Sequence, residues 1–353
     1  MTPQPTKLPP NPIRHFYRGG PAISELRGFT LDTDHAPEEW IGSATTLFGH
    51  TEKGLSRLPD GTLVRDALAS DPEGWLGAGH VARFGPSPAL LVKLLDAGER
   101  LPVHHHPDGA FAREHLGLDF GKTEAWLVLA ARPGAEVAAG WREDVAEDTL
   151  RAWVDEQDHD ALLGALNPMP VSAGDAVFVP AGVPHAIGEG ILIAELQEPT
   201  DLSVLLEWDG FGIDDEQAAT LGLGWDLAIK SVELGARDAE PLRGPHPTGA
   251  LTELLPASSS PFFSAERVAT ASGPAQMRQG FAVVLVLEGA GVLAGLDVSR
   301  GDAILVPHAA GPVTADGALT AIACRPPEVD FDRPDAERRA QTAGPDAPPE
   351  VTP

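Results

Sequence analysis

The sequence predicts an all-β protein made of two related β units, with a small helical insertion in the first. Three observations predict it. Short apolar runs bounded by Gly, Pro or charge recur along the chain: ALLVKLL (89–95), EAWLVLAA (124–131), DAVFVP (175–180) and ILIAELQ (191–197). The composition of 38 Gly and 34 Pro with only 6% aromatic residues favours short strands and turns over long helices. Finally, SAGDAVFVPAGVPHAIGEG (172–190) is echoed by SRGDAILVPHAAGPVTADG (299–317), each with Gly-Asp, an apolar run, Pro and a Gly-containing turn.

In chain order, residues 1–13 form a Pro-rich arm. The first unit spans 14–235 and carries the four runs above. Within it, Glu143–Leu166 holds Leu150, Trp153, Val154, Leu162, Leu163 and Leu166 near a 3.6-residue period, so a helical insert is expected over 143–168. Asn167-Pro168 ends it. A shorter helix is expected after Asp214-Asp215-Glu216. Residues 236–260 read as a crossover into a second unit, 236–332, with strands FAVVLVLEG (281–289), DAILVP (302–307) and ALTAIAC (318–324). Residues 333–353 read as a disordered acidic tail. His115 and His159 read as solvated.

Composition narrows the function. The chain has 353 residues, 42% of them hydrophobic, so a packed core is feasible. Its 25 basic residues against 52 acidic ones give a net charge of −27. That field repels nucleic acid and anionic lipid, so neither is an expected partner. The single cysteine, Cys324, rules out an intramolecular disulfide framework and a cysteine-based zinc site. No run approaches a membrane span, and the Pro-rich N-terminus has no apolar signal core, so a cytoplasmic protein is expected.

The chemistry concentrates around Val103-His104-His105-His106. On a strand, residues two apart share a face, so His104 and His106 can enter one cavity while His105 faces away. Glu124 follows 18 residues after His106, and His185 61 residues later, behind a Pro180-x-Gly182 turn. Three imidazoles and a carboxylate suit Zn²⁺, and also Fe²⁺, Mn²⁺, Co²⁺ or Ni²⁺. A His-x-His pair alone could be a solvated strand; the whole ordered pattern predicts one divalent ion per chain. The strand at 281–289 offers no such pair, so the second unit is expected to serve packing.

This pair of motifs resembles the two metal-binding motifs of the cupin superfamily of jelly-roll barrels. Leu101-Pro102-Val103-His104-His105-His106-Pro107-Asp108 followed by Gly121-Lys122-Thr123-Glu124-Ala125-Trp126 is similar to the corresponding stretch of class I phosphomannose isomerases. Glu39-Trp40-Ile41-Gly42-Ser43, Tyr17-Arg18-Gly19-Gly20 and Ile193-Ala194-Glu195-Leu196-Gln197 extend the resemblance over about residues 10 to 225. It implies a bicupin, two jelly-roll barrels with a helical insertion, and a mannose-6-phosphate isomerase-like activity. It further implies His106, Glu124 and His185 as zinc ligands, with His104 replacing a ligating glutamine, and Lys122 and Glu195 as active-site residues. The expected cofactor is Zn²⁺ and the expected partner a small sugar or sugar phosphate. Departures accompany the resemblance: the family arginine falls on Leu205, a serine on Pro102 and a tryptophan on Arg18. Arg18, Arg113 or Lys93 could compensate at the substrate. The rival readings are an isomerase or epimerase of an unphosphorylated or modified sugar, a non-catalytic metal-binding sugar sensor, and a metal oxygenase.

Overall fold

The computed structural model describes residues 2–213, 216–245 and 249–328. The acidic tail expected at 333–353 lies outside these residues, as do Asp214 and Asp215. Strands dominate, arranged in three antiparallel sheets.

The first sheet has six strands in the order Pro12–Ile13, Glu38–Ile41, Leu91–Asp96, Ile191–Gln197, Glu124–Ala131, Ala176–Val179. The second has five: Val204–Leu205, His104–His105, His185–Ile187, Glu136–Trp141, Leu166–Pro170. Their inner faces share a core of Leu95, Trp126, Val128, Val177, Ile187 and Ile193. The third sheet has eight strands. Its path runs Thr6–Lys7, Ala303–Val306, Ala282–Leu293, Val313–Arg325, Ser264–Ala269, Leu251–Glu253.

The outer face of the six-stranded sheet is also covered. Val92, Leu94, Leu127, Phe178 and Leu196 pack in one cluster with Leu285, Leu305 and Ile322 of the third sheet and with Phe263 and Phe281, which directly precede two of its strands. Burial on both faces explains why ILIAELQ is apolar almost throughout instead of alternating. The Pro-rich arm belongs to this frame. Thr6–Lys7 pairs with the strand Ala303–Val306, and the Lys7 ammonium lies 2.9 Å from Asp302.

The sequence repeat is a structural repeat at its turn. Asp175 accepts the Ser172 N–H at 2.8 Å, and Asp302 accepts the Ser299 N–H at 2.8 Å. Gly174 and Gly301, with φ of 95° and 90°, donate to Val128 and Val286 respectively, each at 2.8 Å. A left-handed residue is required there, which is why glycine precedes each aspartate.

The helical reading needs two corrections. The insert is two helices, Glu147–Glu156 and His159–Gly164, broken at Gln157, whose φ is 50°. Asp158 caps the second, accepting the Ala161 N–H at 3.0 Å. In addition, short helices Ala22–Arg27, Val64–Ser70, Pro72–Leu76 and Ala78–Phe84 lie outside the expected insert. None exceeds two turns, too short to print a 3.6-residue period on the sequence. After the 214–216 acidic run, Glu216–Ala219 is helical, as expected.

Candidate metal centre and adjoining cavity

The cross-strand register assembles the cluster. His185 and Leu205 flank His104 on either side as register partners, so a histidine from one strand sits beside a histidine from the next. The Gly182 N–H donates to the His106 carbonyl at 2.7 Å, and its φ of 87° turns the chain back toward His185. His105 faces away and meets the Ser231 hydroxyl at 2.9 Å.

Each of the three site imidazoles is oriented through Nδ1. His104 bonds the Pro102 carbonyl at 2.8 Å, His106 the Leu202 carbonyl at 2.6 Å and His185 the Val183 carbonyl at 2.8 Å. A carbonyl only accepts, so Nδ1 carries the proton and Nε2 is left as an acceptor. Ligand nitrogens of the three lie within 4.8 Å of one another, and all three residues are buried. Burial and the neighbouring histidines hold His104 well below the usual imidazole range. Burial, with Lys122, lowers His106 to about 3.

Glu124 completes the set. Its Oε2 is 3.0 Å from His106 Nε2 and its Oε1 is 3.3 Å from His185 Nε2. Trp126, on the same strand face, donates to Oε1 at 2.9 Å and fixes the carboxylate. Burial pushes the Glu124 carboxyl up, but Lys122 and His106 outweigh it and hold it well below the usual range. His185 Nε2 is buried with no hydrogen-bond partner, and Glu124 Oε2 pairs with the Lys122 ammonium at 3.1 Å. Three imidazole nitrogens and one carboxylate, with the acceptor atom of His185 orphaned, fit a divalent metal ion.

The Gly121-Lys122-Thr123 segment is braced from three sides. A Cβ at Gly121 would lie 2.5 Å from the Asp108–Gly109 backbone. The Lys122 N–H bonds the Pro107 carbonyl at 3.0 Å, and the Thr123 N–H bonds Glu198 at 2.9 Å. Lys122 Nζ therefore enters the cluster, 3.0 Å from His106 Nε2, 3.1 Å from Glu124 and 3.8 Å from Glu195.

A cavity of about 170 Å³ adjoins these residues. Its floor includes Lys93 and Glu195, which belong to one row of the six-stranded sheet where Trp40, Lys93, Glu195 and Trp126 are register partners in turn. Lys93 Nζ lies 3.3 Å from Glu195 and 3.5 Å from Glu38. Tyr17 donates to Glu38 Oε1 through a short hydrogen bond, and Trp40 Nε1 donates to Oε2 at 2.6 Å. Burial would raise Glu38, but Lys93, His15, Trp40 and Tyr17 bring it to about 2. Glu195 goes the other way: burial and the Glu124 charge push it up, against Lys93 and Lys122, to about 8. Lys93 is itself raised, the two carboxylates outweighing its burial.

Of the residues expected from sequence, the structure brings together His104, His106, Glu124, His185, Lys122 and Glu195. It does not bring Arg18 or Arg113 to the cavity. Arg18 points outward and pairs with Glu99 at 2.9 Å, held by a short connection whose backbone faces Gly98. Arg113 lies exposed on a helical turn and bonds the Asp119 carbonyl at 3.1 Å. Tyr17, Glu38 and Asp201 line the cavity without having been singled out, and Lys93, named as one possible compensating cation, lies at its floor. A signal existed for Lys93 and Glu195: each is a lone charge inside an apolar strand, and such a charge needs a buried partner.

No family model matches the chain. Mannose-6-phosphate isomerase of Streptococcus mutans is 33% identical over 315 residues, spanning 86% of this chain and 93% of its own. Mannose-6-phosphate isomerase ManA of Bacillus subtilis is 28% identical, spanning 85% and 92%. Among solved structures, the mannose 6-phosphate isomerase of Bacillus subtilis superposes with a TM-score of 0.75 at 23% identity, covering 92% of this chain and all of its own. A putative mannosephosphate isomerase from Archaeoglobus fulgidus gives 0.73 at 22% identity, covering 93% of this chain and 99% of its own. These two likenesses speak to the fold.

Proposed function

The chain belongs to the mannose-6-phosphate isomerase family, and from that membership we propose a metal-dependent aldose–ketose isomerase that interconverts mannose 6-phosphate and fructose 6-phosphate. The observation that carries this reading is the convergence of three Nδ1-anchored imidazoles and Glu124 beside the Lys122–Glu195 pair. We assign His104, His106, Glu124 and His185 as ligands of one Zn²⁺ per chain, the nitrogen-rich set favouring zinc among divalent ions. When bound, that ion would polarise the sugar oxygens and stabilise the negative charge that develops on them.

The rest falls to the protein. Isomerisation moves one proton from C2 to C1 and another from the C2 oxygen to the C1 oxygen. Glu195, with a carboxyl poised near neutrality, takes the carbon-bound proton and returns it to C1. Lys122 serves the oxygen-bound proton from its position against Glu124. Lys93 holds Glu195 and Glu38 in register beneath the substrate. Buried Trp126 and Trp40 stiffen this floor.

We also read the architecture as a bicupin. A metal-binding jelly-roll barrel at 14–235 carries the helical insert, and a second barrel follows at 236–332. The six- and five-stranded sheets around a shared core and the repeated Gly-Asp turn support it. Among the described residues no helix is long and apolar enough to cross a membrane. A charged sugar phosphate does not cross a bilayer unaided, which supports a cytoplasmic location.

The test is metal content with turnover. Wild-type protein should hold one ion per chain and interconvert the two sugar phosphates. His106→Ala and His185→Ala should lose both properties, and His308→Ala, outside the cluster, should keep them. Stoichiometric metal in both ligand variants would sink the assignment. Metal binding without turnover of any sugar would favour a sensor over an enzyme.

A further inference from the structure

A second cavity, of about 350 Å³, opens where the helices Pro72–Leu76 and Ala78–Phe84 meet one end of the third sheet. It shares no lining residue with the cavity beside the metal cluster. Leu76 and His80 line it from the helices, and Arg278, Phe281 and Arg325 from the sheet end. Arg325 is the unusual member, a guanidinium only 2% exposed. A charge buried so far needs both its field and its donors met. Its Nε donates to Glu266 at 3.2 Å, Nη1 to the Gly280 carbonyl at 3.4 Å and Nη2 to the Arg278 carbonyl at 3.0 Å. Each Nη carries two N–H groups, so each keeps one that bonds nothing among the described residues. At Gly280, whose φ is 141°, a Cβ would stand 3.3 Å from Nη1, so glycine keeps that flank of the guanidinium clear.

Burial and the neighbouring Arg278 lower the Arg325 guanidinium, outweighing Glu266 and Glu253. The one carboxylate in contact with it therefore does not make up for the water it has lost. A further carboxylate already stands at the rim. Glu328 is 65% exposed and lies 3.0 Å from Arg278, which is itself 40% exposed. Exposed ion pairs hold weakly, so another carboxylate can take the place of Glu328. One carboxylate exchanged for another leaves the local charge as it stands. A phosphate monoester, with close to two negative charges, would add repulsion from Glu266 and from its register partner Glu253. Leu76, Phe281, Pro326 and Pro327 supply apolar walls beside the two guanidiniums.

We propose that this second cavity binds a small organic carboxylate with an apolar body, which displaces Glu328 from Arg278 and reaches the clear flank of Arg325. The forked N–H groups of a guanidinium match the two oxygens of a carboxylate, and the body of the ligand lies against Leu76 and Phe281. Because the lining comes from the helices on one side and the third sheet on the other, an occupant ties the two together outside the metal cluster. The proposal does not depend on the isomerase reading.

The experiment titrates benzoate, acetate and inorganic phosphate by calorimetry into metal-loaded wild type, Arg278→Ala and Glu328→Gln. Neither side chain lines the cavity beside the metal cluster, so both variants should keep wild-type turnover. Wild type should bind one benzoate per chain, about tenfold or more tighter than acetate because the ring gains the apolar walls. Glu328→Gln should tighten benzoate about three- to tenfold by removing the competing carboxylate, and Arg278→Ala should weaken it about tenfold. Benzoate that binds all three proteins equally sits elsewhere, the metal included, and overturns the proposal. No binding to either wild type or Glu328→Gln overturns it as well. Phosphate bound more tightly than benzoate, and weakened by Arg278→Ala, overturns the assignment of the ligand as a carboxylate.

Discussion

His104 and His185 each anchor Nδ1 on a carbonyl two residues back in their own chain segment, while His106 reaches the distant Leu202 carbonyl. The first two orientations are therefore local properties of extended chain, and the third depends on the segment after Asp201 folding over the site. Because burial keeps His104 and His106 neutral, pH should reveal them in metal-free protein. In the unfolded chain these imidazoles take up protons near pH 6.5, whereas folded His106 does so only near 3. Between those values the unfolded state binds more protons, so stability falls as pH falls, by about 1.4 kcal/mol per pH unit for each histidine kept neutral. Urea unfolding of metal-free protein at pH 7, 6 and 5 should show this slope, and His106→Gln should flatten it; identical slopes would contradict the assignment. At the reacting centre, Glu195→Gln and Lys122→Ala should lower kcat by about a hundredfold or more while metal stays bound. Loss of the substrate C2 hydrogen to solvent should drop in parallel for Glu195→Gln, and exchange at the wild-type rate would remove Glu195 from that role.

At the scale of elements, the helical insert is held to the site by polar contacts rather than by its apolar stripe alone. Left-handed Gln157, at the break between the two helices, donates to the Leu206 carbonyl and accepts the Trp208 and Asp209 N–H groups. Between them Glu207 is fully buried and gathers Arg100 in two bonds, the Val103 N–H at 2.8 Å and His159 at 2.6 Å. His159, read from sequence as solvated, is 40% exposed and also ties the insert through Glu207 to Val103, the residue before His104. Burial pushes the Glu207 carboxyl up, but these partners bring it below the usual range. Glu207→Ala strands three donors and should cost on the order of 3 kcal/mol, less than a fully buried pair because Arg100 is 31% exposed. The urea midpoint measures it. A change within about 0.5 kcal/mol would mean the clamp carries no weight.

For the molecule as a whole, the six-stranded sheet is shared property. One face lines the cavity and the other is packed under Leu305 of the third sheet and under Phe263 and Phe281, which directly precede two of its strands. Removing that cover would expose a continuous apolar face. Phe263, with no exposed surface, should on substitution to Ala cost roughly 3–5 kcal/mol. It should also lower the melting temperature of the site and of the third sheet together. Calorimetry of the metal-free protein is expected to give one transition in wild type and variant. Two separated transitions would show that the sheets melt independently and that the shared core couples them weakly.

Much of the fold was legible because its signals are local. Glu124–Ala131 and Ile191–Gln197 coincide with their apolar runs, and the Gly-Asp turns carry a glycine where φ must be positive. The clustering of His104, His106, Glu124 and His185, proposed as the metal set, was legible from residue type and order, and resemblance pointed to Lys122 and Glu195, which lie beside it. What the sequence left open depends on register between distant strands, which no short window encodes. Only pairing brings Lys93 between Trp40 and Glu195, and only the folded chain turns Arg18 and Arg113 outward while Tyr17 reaches Glu38. Residue types in order determined which chemistry this protein can host. Tertiary structure decided which charges share the cavity, because an electrostatic balance is a sum over neighbours in space and not along the chain.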